Sequence, residues 1–108
     1  MNTLSMRSVQ EIPKLFSNTR EKDPVAYVRF MAAWRKTSWY VFEWDGEDTF
    51  FGYQVREGGS RHYGLFSLAQ LARLESMYGS PVIQDYAFQP TRMSELRRQA
   101  KAVSTRRK

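Results

Sequence analysis

A chain of 108 residues with net charge +6, 42% hydrophobic and 15% aromatic side chains holds material for one modest core and no second domain. The absence of cysteine excludes a disulfide framework, a thiolate nucleophile and any cysteine-based zinc or iron–sulfur site. No apolar run approaches the roughly 20 residues of a spanning helix, and Met1-Asn2-Thr3-Leu4 lacks the basic-then-apolar order of a signal peptide, so a cytoplasmic location is expected.

In chain order, Ser8 with Glu11 three residues on reads as a capped start, and Val9, Ile12, Leu15 and Phe16 recur at helical spacing despite Pro13. A short N-terminal helix is expected there. Pro24 holds Asp23 extended, so Val25 to Met31 reads as a strand. From Ser38 to Trp44 β-branched and aromatic residues dominate. Asp45-Gly46-Glu47-Asp48 then interrupts them before Thr49 to Val55, which predicts a β-hairpin. Strict alternation puts Tyr40, Phe42 and Trp44 on one face opposite Phe51, Tyr53 and Val55.

Gly58-Gly59 marks the next turn, and Arg61 to Phe66 reads as a further strand that completes a meander. Ser67 and Gln70 form a capping box, Leu68, Leu71, Leu74 or Glu75, and Tyr78 follow at helical spacing, and Gly79 supplies the stop. Pro81 to Phe88 has the composition of a last strand bounded by Pro90. Ser94 to Val103 can be helical but has little apolar surface, which predicts a protruding or frayed helix running into a disordered 104–108.

The expected fold class is therefore α+β: an antiparallel meander sheet of four or five strands, with an N-terminal helix, a helix before the last strand and a basic C-terminal helical tail. The expected organisation is a single domain over 1–91 and a basic tail over 92–108.

Charge supports that division. Residues 1–91 hold ten basic and ten acidic side chains, whereas 92–108 hold Arg92, Arg97, Arg98, Lys101, Arg106, Arg107 and Lys108 against Glu95 alone, so the tail carries the whole excess. On a helix Arg97 and Lys101 share a side with Arg98 beside them. That side can present positive charge to phosphates, and Arg106, Arg107 and Lys108 extend it. Arg35, Lys36 and Arg61 are candidate extensions of the same patch. The competing reading is a solubilising tail, or one that docks on an acidic protein. Trp34, Trp39 and Tyr40 are candidate stacking rings for bases, although rings at strand spacing ordinarily pack inside; Trp34 is the one expected outside.

Catalytic signals are weak. Glu43, Asp45, Glu47 and Asp48 crowd one hairpin turn with Asp85 in a neighbouring segment, and oxygen ligands of this kind suit Mg²⁺ or Ca²⁺. The preferred reading makes them turn residues, with Asp85 or Asp48 capping backbone N–H groups or pairing with an arginine. His62 has no orienting partner at a recognisable spacing, no Gly-x-Ser-x-Gly elbow occurs, and Gly58-Gly59 lacks the lysine and helix of a phosphate loop. No cofactor, bound metal or small-molecule substrate is expected.

Several segments also carry a resemblance. Ile12-Pro13-Lys14-Leu15, Asp23-Pro24-Val25, Glu43 through Tyr53, Gly64 through Leu71 and Gly79 through Phe88 occur in the order of a family of small proteins found on plasmids, conjugative elements and phages. The chain resembles that family, which is catalogued only as a domain of unknown function, over most of residues 12–96. Where the family usually has an acidic segment, this chain has Glu57-Gly58-Gly59-Ser60-Arg61-His62-Tyr63. The resemblance implies an accessory role on a mobile element and supplies no reaction or catalytic residues.

The function expected from all this is a non-enzymatic mobile-element accessory protein acting by binding, with nucleic acid as first partner through the basic tail. The alternative is a protein-binding modulator of a host complex, including a defence complex. A metal-dependent enzyme built on the acidic hairpin ranks third.

Overall fold

The structure is a computed structural model that describes residues 12–17, 22–32, 36–56 and 59–106, with side chains described as far as residue 99. Its elements are β1 (Val25–Ala26), β2 (Val28–Ala32), β3 (Thr37–Trp44), β4 (Thr49–Val55), β5 (Arg61–Ser67), α1 (Leu68–Tyr78), β6 (Val82–Gln84), β7 (Thr91–Arg92) and α2 (Met93–Arg106). The expected α+β class holds. Five antiparallel strands form one sheet in the order β5-β4-β3-β2-β6, and β1 and β7 form a separate two-stranded ribbon.

The sheet is buried on both faces. On one, Val28, Phe30, Trp39, Val41 and Phe50 meet Leu68 and Leu71 of α1. On the other, Phe42 and Tyr53 meet Ala26 of β1 and Met93 and Leu96 of α2, with Tyr40, Phe51, Val55 and Phe88 packed around them. Two covered faces explain why β3 is buried at seven of its eight positions.

α1 follows its sequence signals. Ser67 Oγ accepts the Gln70 N–H and the Gln70 side chain accepts the Ser67 N–H, while Gly79 at φ 66° occupies the left-handed position that ends the helix. The hairpin turn supplies a further cap. Asp48 Oδ1 accepts the Ala69 N–H at 3.0 Å, and the Asp48 carbonyl accepts the Leu68 N–H at 2.9 Å.

Several expectations are corrected. The proposed N-terminal helix falls partly outside the described residues, and its described part, residues 12–16, is not helical. Lys14 bridges in parallel to Trp44, with Trp44 N–H donating to the Pro13 carbonyl and Leu15 N–H to the Trp44 carbonyl. The strand expected over 25–31 is split at Tyr27, whose N–H donates to the Val41 carbonyl of β3, and the two residues before it, β1, pair with β7. The strand expected over Pro81 to Phe88 is only the three residues of β6, since Asp85 Oδ1 accepts the Ala87 N–H and turns the chain.

Trp44 does not share a face with Tyr40 and Phe42. The β3–β4 register shifts between Val41 and Glu43, so that Glu43 pairs with Phe51 and Trp44 with Phe50. This bulge sends Trp44 to the α1 side of the sheet and Glu43 to the α2 side.

α2 is likewise no free appendage at its start. Met93 and Leu96 are buried, Met93 N–H donates to the Pro24 carbonyl, and Asp23 accepts both the backbone N–H and the hydroxyl of Ser94 at 2.8 Å. Two well-placed apolar residues suffice to seat the helix because the sheet presents a ready apolar face. The helix runs on to Arg106, so residues 104–106, expected to be disordered, are helical.

Candidate functional site

On the α2 side of the sheet the bulge, the β1 segment, β5 and α2 enclose a groove of about 500 Å³. It is lined by Phe16, Lys22, Pro24, Val25, Tyr27, Phe42, Glu43, Phe51, Tyr63 and Arg97. Its back wall is aromatic, with Phe42 at 6.0 Å from Phe51 and 6.4 Å from Tyr63, ring centre to ring centre. Tyr63 stands in turn 4.9 Å from the buried ring of Tyr53.

Arg97 closes one side. Its Nη2 donates to the Tyr63 hydroxyl at 2.6 Å, and its guanidinium lies 6.0 Å from the centre of that ring. That hydrogen bond, reinforced by the nearby Tyr63 and Tyr53 hydroxyls, raises the pKa of Arg97 above the usual arginine value, so the group is cationic at every relevant pH. Burial raises the Tyr53 pKa, opposed by the charges of Arg61 and Arg97.

The lining also includes a buried carboxylate. Glu43 is only 4% exposed, and its Oε1 accepts the backbone N–H of Phe16 at 2.6 Å. Phe16 has φ 66°, a left-handed conformation that a bulky side chain adopts only under constraint, and the residue is 60% exposed. The Glu43 hydrogen bond is the constraint. Without the bulge Glu43 would point into the apolar face that holds Trp44.

Of the cations singled out in the sequence, Arg97 lines the groove, whereas Arg61 is exposed at the start of β5 and is not among the lining residues. Arg92 is exposed on β7 and donates to the Asp23 carbonyl at 3.4 Å, while Arg98 pairs with Glu95 one helical turn away. Lys36 occupies the turn before β3 and does not line the groove. Lys101 and Arg106 lie on α2, where only the backbone is described; Arg35, Arg107 and Lys108 lie outside the described residues, as does Trp34. Trp39 is buried and Tyr40 half-buried, so neither offers a face to a base.

The acidic hairpin is engaged in holding backbone. Asp45 Oδ1 accepts the N–H groups of Glu47, Asp48 and Thr49, which lowers its pKa, Glu47 contributing most. Asp48 caps α1, and Asp85 pairs with Arg29 at 3.1 Å, as the turn-and-cap reading expects. Among the described residues no group of three or more His, Asp or Glu side chains could hold a metal. His62 is an exposed residue of β5.

Phe16, Lys22, Glu43 and Tyr63 do not stand out as groove residues in the sequence. The one local hint is the run Arg61-His62-Tyr63, which at strand spacing sends Arg61 and Tyr63 to the same side.

The sequence profile of a family described as "Protein of unknown function (DUF2958)" matches residues 4–105. No curated protein and no solved structure matches the chain. No helix among the described residues is long and apolar enough to cross a membrane.

Proposed function

The chain belongs to the DUF2958 family, whose function is unknown, and from that premise we propose that it is a non-enzymatic binding protein whose partner is nucleic acid. The observation that carries this reading is the meeting of Arg97, from the charge-rich C-terminal segment, with an aromatic groove on an otherwise balanced body. Cations beside exposed rings are the chemistry with which proteins hold a nucleic-acid strand, phosphates meeting guanidinium and bases meeting ring faces. Arg92, Arg98 and the remaining tail cations extend the electrostatic surface, and Arg61 adds to it beside Tyr53. The setting we propose is that of a mobile-element accessory protein in the cytoplasm.

The test is binding of a labelled oligonucleotide across a salt series, using the variant Arg92→Gln/Arg97→Gln/Arg98→Gln. Substitution is preferred to truncation at residue 92, which would also remove the buried Met93 and Leu96. Affinity is expected to fall steeply with salt, and the triple variant to flatten the logarithmic slope by roughly one for each phosphate no longer neutralised. Salt-insensitive binding, or an unchanged slope in the variant, would overturn the proposal.

A second reading is a module that occupies a host protein, including one of a defence complex. It is favoured by the exposed apolar side chains Met77, Ile83 and Tyr86, at the end of α1, on β6 and in the turn after it. Co-purification of a host protein that survives nuclease and is abolished by Ile83→Lys would support it over the first.

A further inference from the structure

Resting on the nucleic-acid reading, we infer that the groove takes one unpaired nucleotide of a single strand, its base against Phe16 and Tyr63 and its phosphate against Arg97 and Lys22. Four observations converge on this. First, Phe16 and Tyr63 are 60% and 48% exposed although both border an apolar-walled recess. Second, Phe16 is kept exposed at a cost: it holds a left-handed backbone at φ 66° that is tied at 2.6 Å to the buried carboxylate of Glu43. Strain stored where a large ring meets solvent is the pattern of a site prepared for a ligand.

Third, the volume of about 500 Å³ lies in the range of roughly 300–1,000 Å³ that accommodates a molecule of small-ligand size. A paired duplex cannot enter such a recess, since its bases face each other and only its backbone reaches the rim. Fourth, the charged lining consists of Lys22 and Arg97 against Glu43, and Glu43 is turned to the Phe16 amide. Two cations against one engaged acid favour an anionic ligand and disfavour a cationic one, although rings and an acid alone would suit an ammonium group.

Glu43 and Tyr63 are positioning residues in this scheme, the first for the Phe16 ring and the second for the Arg97 guanidinium. Tyr63 has the additional role of a stacking face.

The experiment measures fluorescence anisotropy of a labelled 15-nucleotide oligodeoxynucleotide, single-stranded and as a blunt duplex, at one fixed salt concentration. The single strand is expected to bind at least tenfold more tightly. Phe16→Ser should weaken the single strand by roughly fivefold to a hundredfold, the range of one missing base stack, and leave duplex affinity unchanged; Tyr63→Leu, which also releases Arg97, should weaken the single strand by more than the duplex. Tyr63→Phe keeps the ring and should keep most of the preference. Both side chains are largely exposed, and a thermal melt of each variant confirms the fold.

Equal affinity for strand and duplex, with Arg97→Gln weakening both, would overturn this inference while leaving the nucleic-acid reading in place. Absence of binding to either would overturn both. A free mononucleotide that competes at the same concentration as the oligonucleotide would also overturn it, because the site would then be one for a small molecule.

Discussion

At the scale of single residues the groove depends on a bulge, and the bulge sits beside a position where only glycine fits. Gly52 faces Val41, the last regular pair before the register shift. A Cβ at Gly52 would lie 2.4 Å from the Tyr40 carbonyl oxygen and 3.0 Å from the Phe50 ring, closer than atoms approach without displacement. The obstructing atom is backbone, so relief requires moving β3 itself. Gly52→Ala is therefore expected to destabilise the protein by about 1–3 kcal/mol or more, measured by urea unfolding. A variant as stable as the parent would show that the strands shift freely there, and that Glu43 is aimed by something other than a fixed bulge.

At the scale of elements, α2 is fastened at its start by a residue far away in sequence. Asp23 accepts the Ser94 N–H and hydroxyl across 71 positions. These two hydrogen bonds lower its pKa below the ordinary 3.8, the backbone bond contributing most. A carboxylate with a depressed folded pKa contributes stability that is fully present above its unfolded pKa and is lost as pH falls through the folded value. The melting temperature of Asp23→Ala should thus lie below that of the parent at neutral pH. The gap should begin to close below about pH 3.8 and vanish once the folded carboxyl protonates. A gap that persists undiminished at the acid end would mean that Asp23 acts by something other than its charge.

Elements are legible in the sequence where their signals are local. Ser67, Gln70 and Gly79 spell out both ends of α1 within thirteen residues, and the hairpin follows from the run of turn residues between two aromatic segments. What escapes is set by distance. The bulge at Phe42 and Glu43 adds one residue to a pattern that reads as unbroken alternation, so Trp44 reads onto the wrong face. The β1–β7 ribbon joins segments 65 or more positions apart, and nothing in Thr91-Arg92 alone announces a partner.

On the scale of the whole molecule, charge and packing divide the chain at different places. Charge is segregated as the sequence reads, but the first turns of the tail helix belong to the core through Met93 and Leu96. Two apolar residues in a basic stretch make too faint a stripe to read as a docking face. Leu96→Ala, which empties a site 6% exposed, is expected to cost about 2–5 kcal/mol in unfolding free energy. A loss confined to a few tenths would return α2 to the status of a loosely attached arm. The groove is illegible for a related reason: its lining runs from Phe16 to Arg97, and only the closed fold brings those positions together.

The seating of α2 has a consequence for how the protein is made. Ala26, Phe42 and Tyr53 are all synthesised well before the two side chains that shelter them. A nascent chain must carry that aromatic surface bare until translation has passed Leu96. Messages cut short before that codon would yield polypeptides marked by their own stickiness for clearance by cellular quality control.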